Sequence, residues 1–98
     1  MTQKSTTARS TVQIDNDRVR VTEWSFAAGQ ETGHHRHEMD YLVVPMTSGP
    51  LTIIDADGGR SVAQLTVGEP YFRPAGVEHN VINAWTDRFR FIEVELKP

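Results

Sequence analysis

The sequence predicts an all-β barrel or sandwich in a single domain, on three observations. Short runs rich in β-branched and aromatic residues recur at roughly 8 to 12 residue spacing, the pattern of sandwiches and barrels. Gly or Pro punctuates the intervals, at Gly29, Gly33, Pro45, Gly49, Pro50, Gly58, Gly59, Gly68, Pro70, Pro74 and Gly76. No three-turn helix fits between those breakers, and at the two ends of the chain β-branched and aromatic residues argue against one. At 98 residues the chain builds one core but buries a modest fraction of its surface, a size at which self-association helps.

Residues 1–10 are polar, rich in Ser and Thr and have nothing to bury, so they read as a flexible tail or a strand donated to a neighbour. Residues 11–98 then form the barrel domain. Its runs are Thr11 to Ile14, Arg18 to Phe26, Tyr41 to Val44, Leu51 to Ile54, Ser61 to Leu65, His79 to Ala84 and Phe89 to Leu96. Asp57-Gly58 between two apolar runs predicts a type I′ hairpin, whose central residues both need positive φ. Two runs do not alternate cleanly. Val19 and Val21 share one face and Trp24 and Phe26 the other, which calls for a bulge or for burial on both faces. In the last run Ile92, Val94 and Leu96 oppose Phe89 and Phe91. If the aliphatic face fills the core, the two phenylalanines form an outer patch suited to a homodimer contact. The alternative is that the same chain covers both faces.

With no cysteine, disulfides, zinc ribbons, iron-sulfur clusters and thiol nucleophiles are excluded, and any metal must rest on His, Asp or Glu. A formal net charge of -3, with both signs interspersed, offers no basic stripe for nucleic acid and no polybasic patch for a membrane. No apolar run approaches a membrane-spanning length. The expected setting is the cytoplasm.

The chemistry concentrates in Gly29-Gln-Glu-Thr-Gly-His-His-Arg-His-Glu-Met-Asp40. On an extended segment His35 and His37 project to the same side and make a chelating pair, while His34 points away. The bland reading of the same stretch is a solvated, histidine-rich loop. Further along stands Gly68-Glu-Pro-Tyr-Phe-Arg-Pro74-Ala-Gly76-Val-Glu-His79-Asn-Val-Ile-Asn83. A turn held by Pro74 and Gly76 can aim His79 at a fixed point and complete a site begun by His35 and His37. Asn83 shares the parity of His79 and suits a polar core or supporting partner better than a ligand.

These two stretches resemble the two motifs of the cupin superfamily. Gly29 followed after five residues by His35-x-His37 matches the first. Gly68, Pro74, Gly76, His79 and Asn83 match the second at each position and spacing. Around Gly33 to Gly49 and Gly76 to Ala84 the wording looks like the small single-domain cupins grouped as β-alanine degradation proteins, a label that names a pathway and not a reaction. The resemblance implies a jelly-roll barrel, a double-stranded β-helix, with a metal on His35, His37 and His79.

The match has one departure. The first cupin motif usually supplies a Glu three or four residues after the second histidine, and here Tyr41 and Leu42 occupy those places. Either Asp40 turns inward as an oxygen ligand, with Leu42 and Val44 inside, or the site has three histidines, with Tyr41 and Val43 inside. The three-histidine form is preferred, with Asp40 retained as a candidate fourth ligand.

Three imidazoles leave open positions and suit Fe, Mn, Ni, Zn or Cu better than Mg or Ca. The resulting expectation is a dioxygenase-like metalloenzyme acting on a small carboxylate or carbonyl compound, with Tyr41 and Arg73 as substrate contacts. A non-catalytic module that binds a small ligand or metal is the alternative. A third reading is a structural protein that keeps the motifs only as turns.

Overall fold

The breakers separate strands that pair into two antiparallel sheets in the computed structural model, which describes residues 6–98. The strands are β1 (Arg9–Asp15), β2 (Val19–Phe26), β3 (His35–Arg36), β4 (Asp40–Pro45), β5 (Gly49–Asp55), β6 (Arg60–Leu65), β7 (Tyr71–Arg73), β8 (Glu78–Ile82) and β9 (Phe89–Leu96). One sheet has the order β1-β2-β9-β4-β7 and the other β3-β8-β5-β6. No helix occurs among the described residues. The all-β expectation holds, and two short strands are added to the runs read from the sequence: β3 and β7 are too brief to show a period.

The two sheets face each other over a core of Phe26, Tyr41, Val43, Leu51, Val81, Phe89 and Phe91. Period-two alternation decides what enters it. Along β9 the buried residues are Phe89, Phe91 and Glu93, while Ile92 and Val94 are half-buried and Leu96 is exposed on the other face. The expected outer patch of Phe89 and Phe91 is therefore reversed. Aromatic rings bury more apolar area than aliphatic chains and they pair inside, with Phe26 and Phe91 centroids 5.6 Å apart. Trp24 and Phe26 likewise face inward and Val19 and Val21 outward. No bulge interrupts the pairing of β2 with β9; the irregularity lies in β1, between Val12 and Ile14.

Two further expectations shift. Residues 1–5 lie outside the described residues, but the stretch expected as tail is already engaged before residue 10. Ala8 is buried and donates its N–H to the Glu31 carbonyl, and Arg9 and Ser10 pair with Ser25 and Trp24. Backbone ladders need no apolar side chains, so composition alone could not show this. The β5–β6 hairpin is also longer than a two-residue turn. Among the described residues only glycines have positive φ, so Asp57 cannot serve a type I′ turn. Instead Gly58, at φ 85°, donates to the Asp55 carbonyl, and the Asp55 carboxylate accepts the N–H groups of Asp57 and Gly59.

Candidate metal centre

The inner face of β9 runs Phe89, Phe91, Glu93, Glu95, and this change from apolar to acidic marks where the packed half of the barrel gives way to the site. His35 and His79 are direct cross-strand partners on β3 and β8. His37 follows on the same side, as alternation requires. Its backbone ties the two motifs together: His37 N donates to the Val77 carbonyl and Gly76 N donates to the His37 carbonyl, both at 2.8 Å. Asn80 supports the loop before β3, accepting the Gly33 N–H at 3.0 Å and donating to Glu31 at 3.1 Å.

The three imidazoles converge. His35 Nε2 and His37 Nε2 are 3.0 Å apart, and His37 Nε2 and His79 Nε2 3.2 Å apart. His35 Nδ1 lies 2.8 Å from the Gly33 carbonyl, which can only accept, so Nδ1 carries the proton and Nε2 turns its lone pair toward the other rings. Burial, with His35 next, pushes His37 down from the ordinary 6.5 to about 3. The same two causes push His79 down to about 4. Both rings are neutral at pH 7, the form that binds metal. The three imidazoles, with ligand atoms inside one 4.8 Å cluster, could hold a metal ion.

Tyr41 is 2 % exposed and stacks on His37, with ring centroids 3.9 Å apart and an interplanar angle of 20°. Burial raises its phenol to about 12, against the opposing effect of Arg73. Arg73 is the cross-strand partner of Tyr41 on β7. Both line a recess of about 200 Å³ beside His79, with Tyr71 on the polar side and Ile53, Ala63 and Leu65 on the apolar side.

Asp40 lies outside the cluster. Tyr41 and Val43 are buried and Asp40 is exposed, so of the two parity models the structure has the one with Tyr41 inward. Asp40 Oδ1 accepts the Ala75 N–H at 2.8 Å and so steadies the Pro74–Gly76 turn that delivers His79. His34 is on the surface, 2.7 Å from the Glu78 carboxylate. Asn83 is fully buried and structural: it donates to the carbonyls of Phe26 and Asp87 and accepts from Trp85 N.

Glu93 was not anticipated. It is 8 % exposed, its Oε1 approaches His37 Nδ1 at 3.6 Å, and Oε2 accepts from Trp24 Nε1 at 3.3 Å. Burial, reinforced by Glu95, raises it to about 7. The alternation Phe89, Phe91, Glu93 held the signal, once the aromatic face rather than the aliphatic one was taken as the inner face.

No protein-family model matches the chain. The β-alanine degradation protein BauB of Pseudomonas aeruginosa is 56% identical over 87 residues, 89% of this chain and 90% of that protein. A cupin domain from Bordetella pertussis Tohama I superposes with a TM-score of 0.92 at 56% identity, covering 99% of this chain and 100% of that one. An RmlC-like cupin with a double-stranded β-helix fold from Methanocaldococcus jannaschii gives a TM-score of 0.77 at 14% identity, over 99% of this chain and 86% of that one, and so shares the fold. With 56% identity to BauB and to the Bordetella cupin domain over most of its length, the chain belongs to the cupin superfamily.

Proposed function

We propose that the protein is a metal-dependent enzyme acting on a small carboxylate or carbonyl compound. The observation that carries the reading is the convergence of the three Nε2 atoms, with the His35 tautomer set by the Gly33 carbonyl. His35, His37 and His79 would hold a divalent transition metal, Fe, Mn, Ni, Zn or Cu. Such an ion supplies Lewis acidity or dioxygen activation.

The remaining roles belong to the chain's own side chains. Arg73 binds a substrate carboxylate through its guanidinium fork. The hydroxyls of Tyr41 and Tyr71 stay protonated, since burial raises both phenols, and they donate hydrogen bonds to substrate oxygen. Ile53, Ala63 and Leu65 exclude water from the opposite wall. A recess of about 200 Å³ is smaller than the ~300–1,000 Å³ of drug-sized sites, which favours a substrate of a few carbons. BauB is named for the degradation of β-alanine, itself a three-carbon carboxylate, and this supports the same size class here.

Two measurements test the reading. Elemental analysis after reconstitution with each of the five metals is expected to give close to one equivalent; less than about a tenth with all of them would overturn the metal assignment. Oxygen uptake and substrate loss are then screened over small carboxylates and oxo acids with the loaded protein. Arg73→Ala is expected to raise KM for the active compound at least tenfold with a smaller effect on kcat. Metal binding without turnover of any compound would make the protein a binding module instead.

A further inference from the structure

A metal on His35, His37 and His79 through Nε2 needs each ring to present that atom with its lone pair free, and so needs each ring's proton to sit on Nδ1. For His35 the Gly33 carbonyl meets this need. For His37 the group beside Nδ1 is the carboxylate of Glu93, with Oε1 at 3.6 Å. The rest of His37 is already fixed. Its backbone N–H and carbonyl are bonded to Val77 and Gly76, and Tyr41 stacks on its face. Stacking permits two ring settings related by a half-turn about Cβ–Cγ, and the observed one turns Nε2 to the other histidines and Nδ1 to Glu93.

Glu93 is itself held in place. It lies on β9, the middle strand of the five-stranded sheet, directly between Thr22 of β2 and Val43 of β4, both buried. Oε2 accepts from Trp24 Nε1, which leaves Oε1 for His37. Folding alone gives no reason for a carboxylate here. Among the described residues no Lys or Arg pairs with Glu93, whereas Arg20 pairs with Glu95 and Arg90 with Glu23. A buried carboxylate without a cationic partner loses hydration that no ion pair replaces, and an apolar side chain of similar volume fills the same space without that loss. Nor is Glu93 one of the ligands, since the cluster of ligand atoms holds the three histidines and no carboxylate.

We propose that Glu93 is a positioning residue for the metal centre, accepting the Nδ1 proton of His37 and so holding Nε2 toward the ion. This rests on the metal reading given above. The gap of 3.6 Å is longer than a hydrogen bond by about half an ångström, which a small tilt of either side chain closes. A carboxylate acceptor on Nδ1 also raises the basicity of Nε2 and strengthens its bond to a metal.

Zinc binding and urea unfolding of the full chain at pH 8 test this; nickel replaces zinc if the wild type does not retain it. Glu93→Leu is expected to weaken binding, measured by competition with a chromogenic chelator, at least tenfold. Glu93→Gln is expected to stay within about threefold of the wild type, because its amide oxygen still accepts from Nδ1. With metal removed, Glu93→Leu is expected to unfold at a urea midpoint no lower than that of the wild type. Should Glu93→Leu fail to fold, Glu93→Met takes its place. A Leu variant that binds within about twofold of the wild type overturns the proposal and leaves the three-histidine centre standing. So does a Gln variant as weak as the Leu variant, because charge and not acceptance of a proton would then be the cause. A lowered midpoint for the metal-free Leu variant would make Glu93 a structural residue and overturns it too. A wild type that retains none of Fe, Mn, Ni, Zn or Cu overturns the metal reading, and this proposal with it.

Discussion

Asp40 and Tyr41 are adjacent on β4 and have opposite fates. Tyr41 turns into the barrel and stacks on His37, while Asp40 turns out and caps the Ala75 N–H. The carboxylate therefore acts on the site only through the turn that presents His79. Asp40→Ala is expected to leave metal affinity, measured by competition with a chromogenic chelator, unchanged within about twofold. It removes one hydrogen bond of an exposed acceptor and lowers stability by about 1 kcal/mol, read from urea denaturation. A tenfold loss of metal affinity would return Asp40 to the metal's own ligand set. The carboxylate beside His37 is instead Glu93, at 3.6 Å and on β9 rather than on β4.

At the scale of the strands, the start of β5 depends on a close approach. Gly49 has φ 156°, and a Cβ added there would lie 2.7 Å from Trp85 Cζ3. Trp85 sits in the loop between β8 and β9 and donates its N–H to Asn83 Oδ1. Gly49→Ala thus presses on the segment that Asn83 anchors, and overpacking of this kind costs about 1–3 kcal/mol. A thermal melt of Gly49→Ala is expected to show that loss. Gly49→Ala in a Trp85→Leu background should cost less than in the wild type, since the smaller side chain leaves room. Equal costs in both backgrounds would place the strain in the backbone and not in the ring contact.

For the molecule as a whole, the buried groups of the metal-free protein set its response to pH. Folding lowers His37 and His79 from 6.5 to about 3 and about 4. The stability they contribute is complete above pH 6.5 and is lost as the pH falls through the interval down to their folded values. Folding raises Glu93 from 4.5 to about 7, so its contribution runs the other way, being lost as the pH rises from 4.5 to 7. Between pH 4.5 and 6.5 the unfolded chain takes up two protons on the histidines where the native state keeps one on Glu93. The histidines win, and stability falls on acidification, more steeply below pH 4.5, where Glu93 no longer opposes them. Urea midpoints of chelator-treated protein from pH 8 to 4 check this; a flat profile would mean that the rings are solvated in the metal-free state.

The sequence by itself determined the all-β class, most of the strands and the three histidines. Breakers, alternation and motif spacing are local properties, and Pro74-Ala-Gly76 before His79 fixes a turn without reference to the rest of the chain. Tyr41 and Arg73, which the sequence suggested as substrate contacts, both line the recess beside His79. Tertiary structure decided the parity questions. Whether Asp40 or Tyr41 points inward depends on where β4 begins, and a shift of one residue exchanges the two faces. Whether the aromatic or the aliphatic side of β9 is buried depends on what Trp24, Phe26 and Leu51 leave room for, which no window of sequence contains. From that choice follow both the approach of Glu93 to His37 and the outward turn of Ile92, Val94 and Leu96, because each is the consequence of the same strand facing one way.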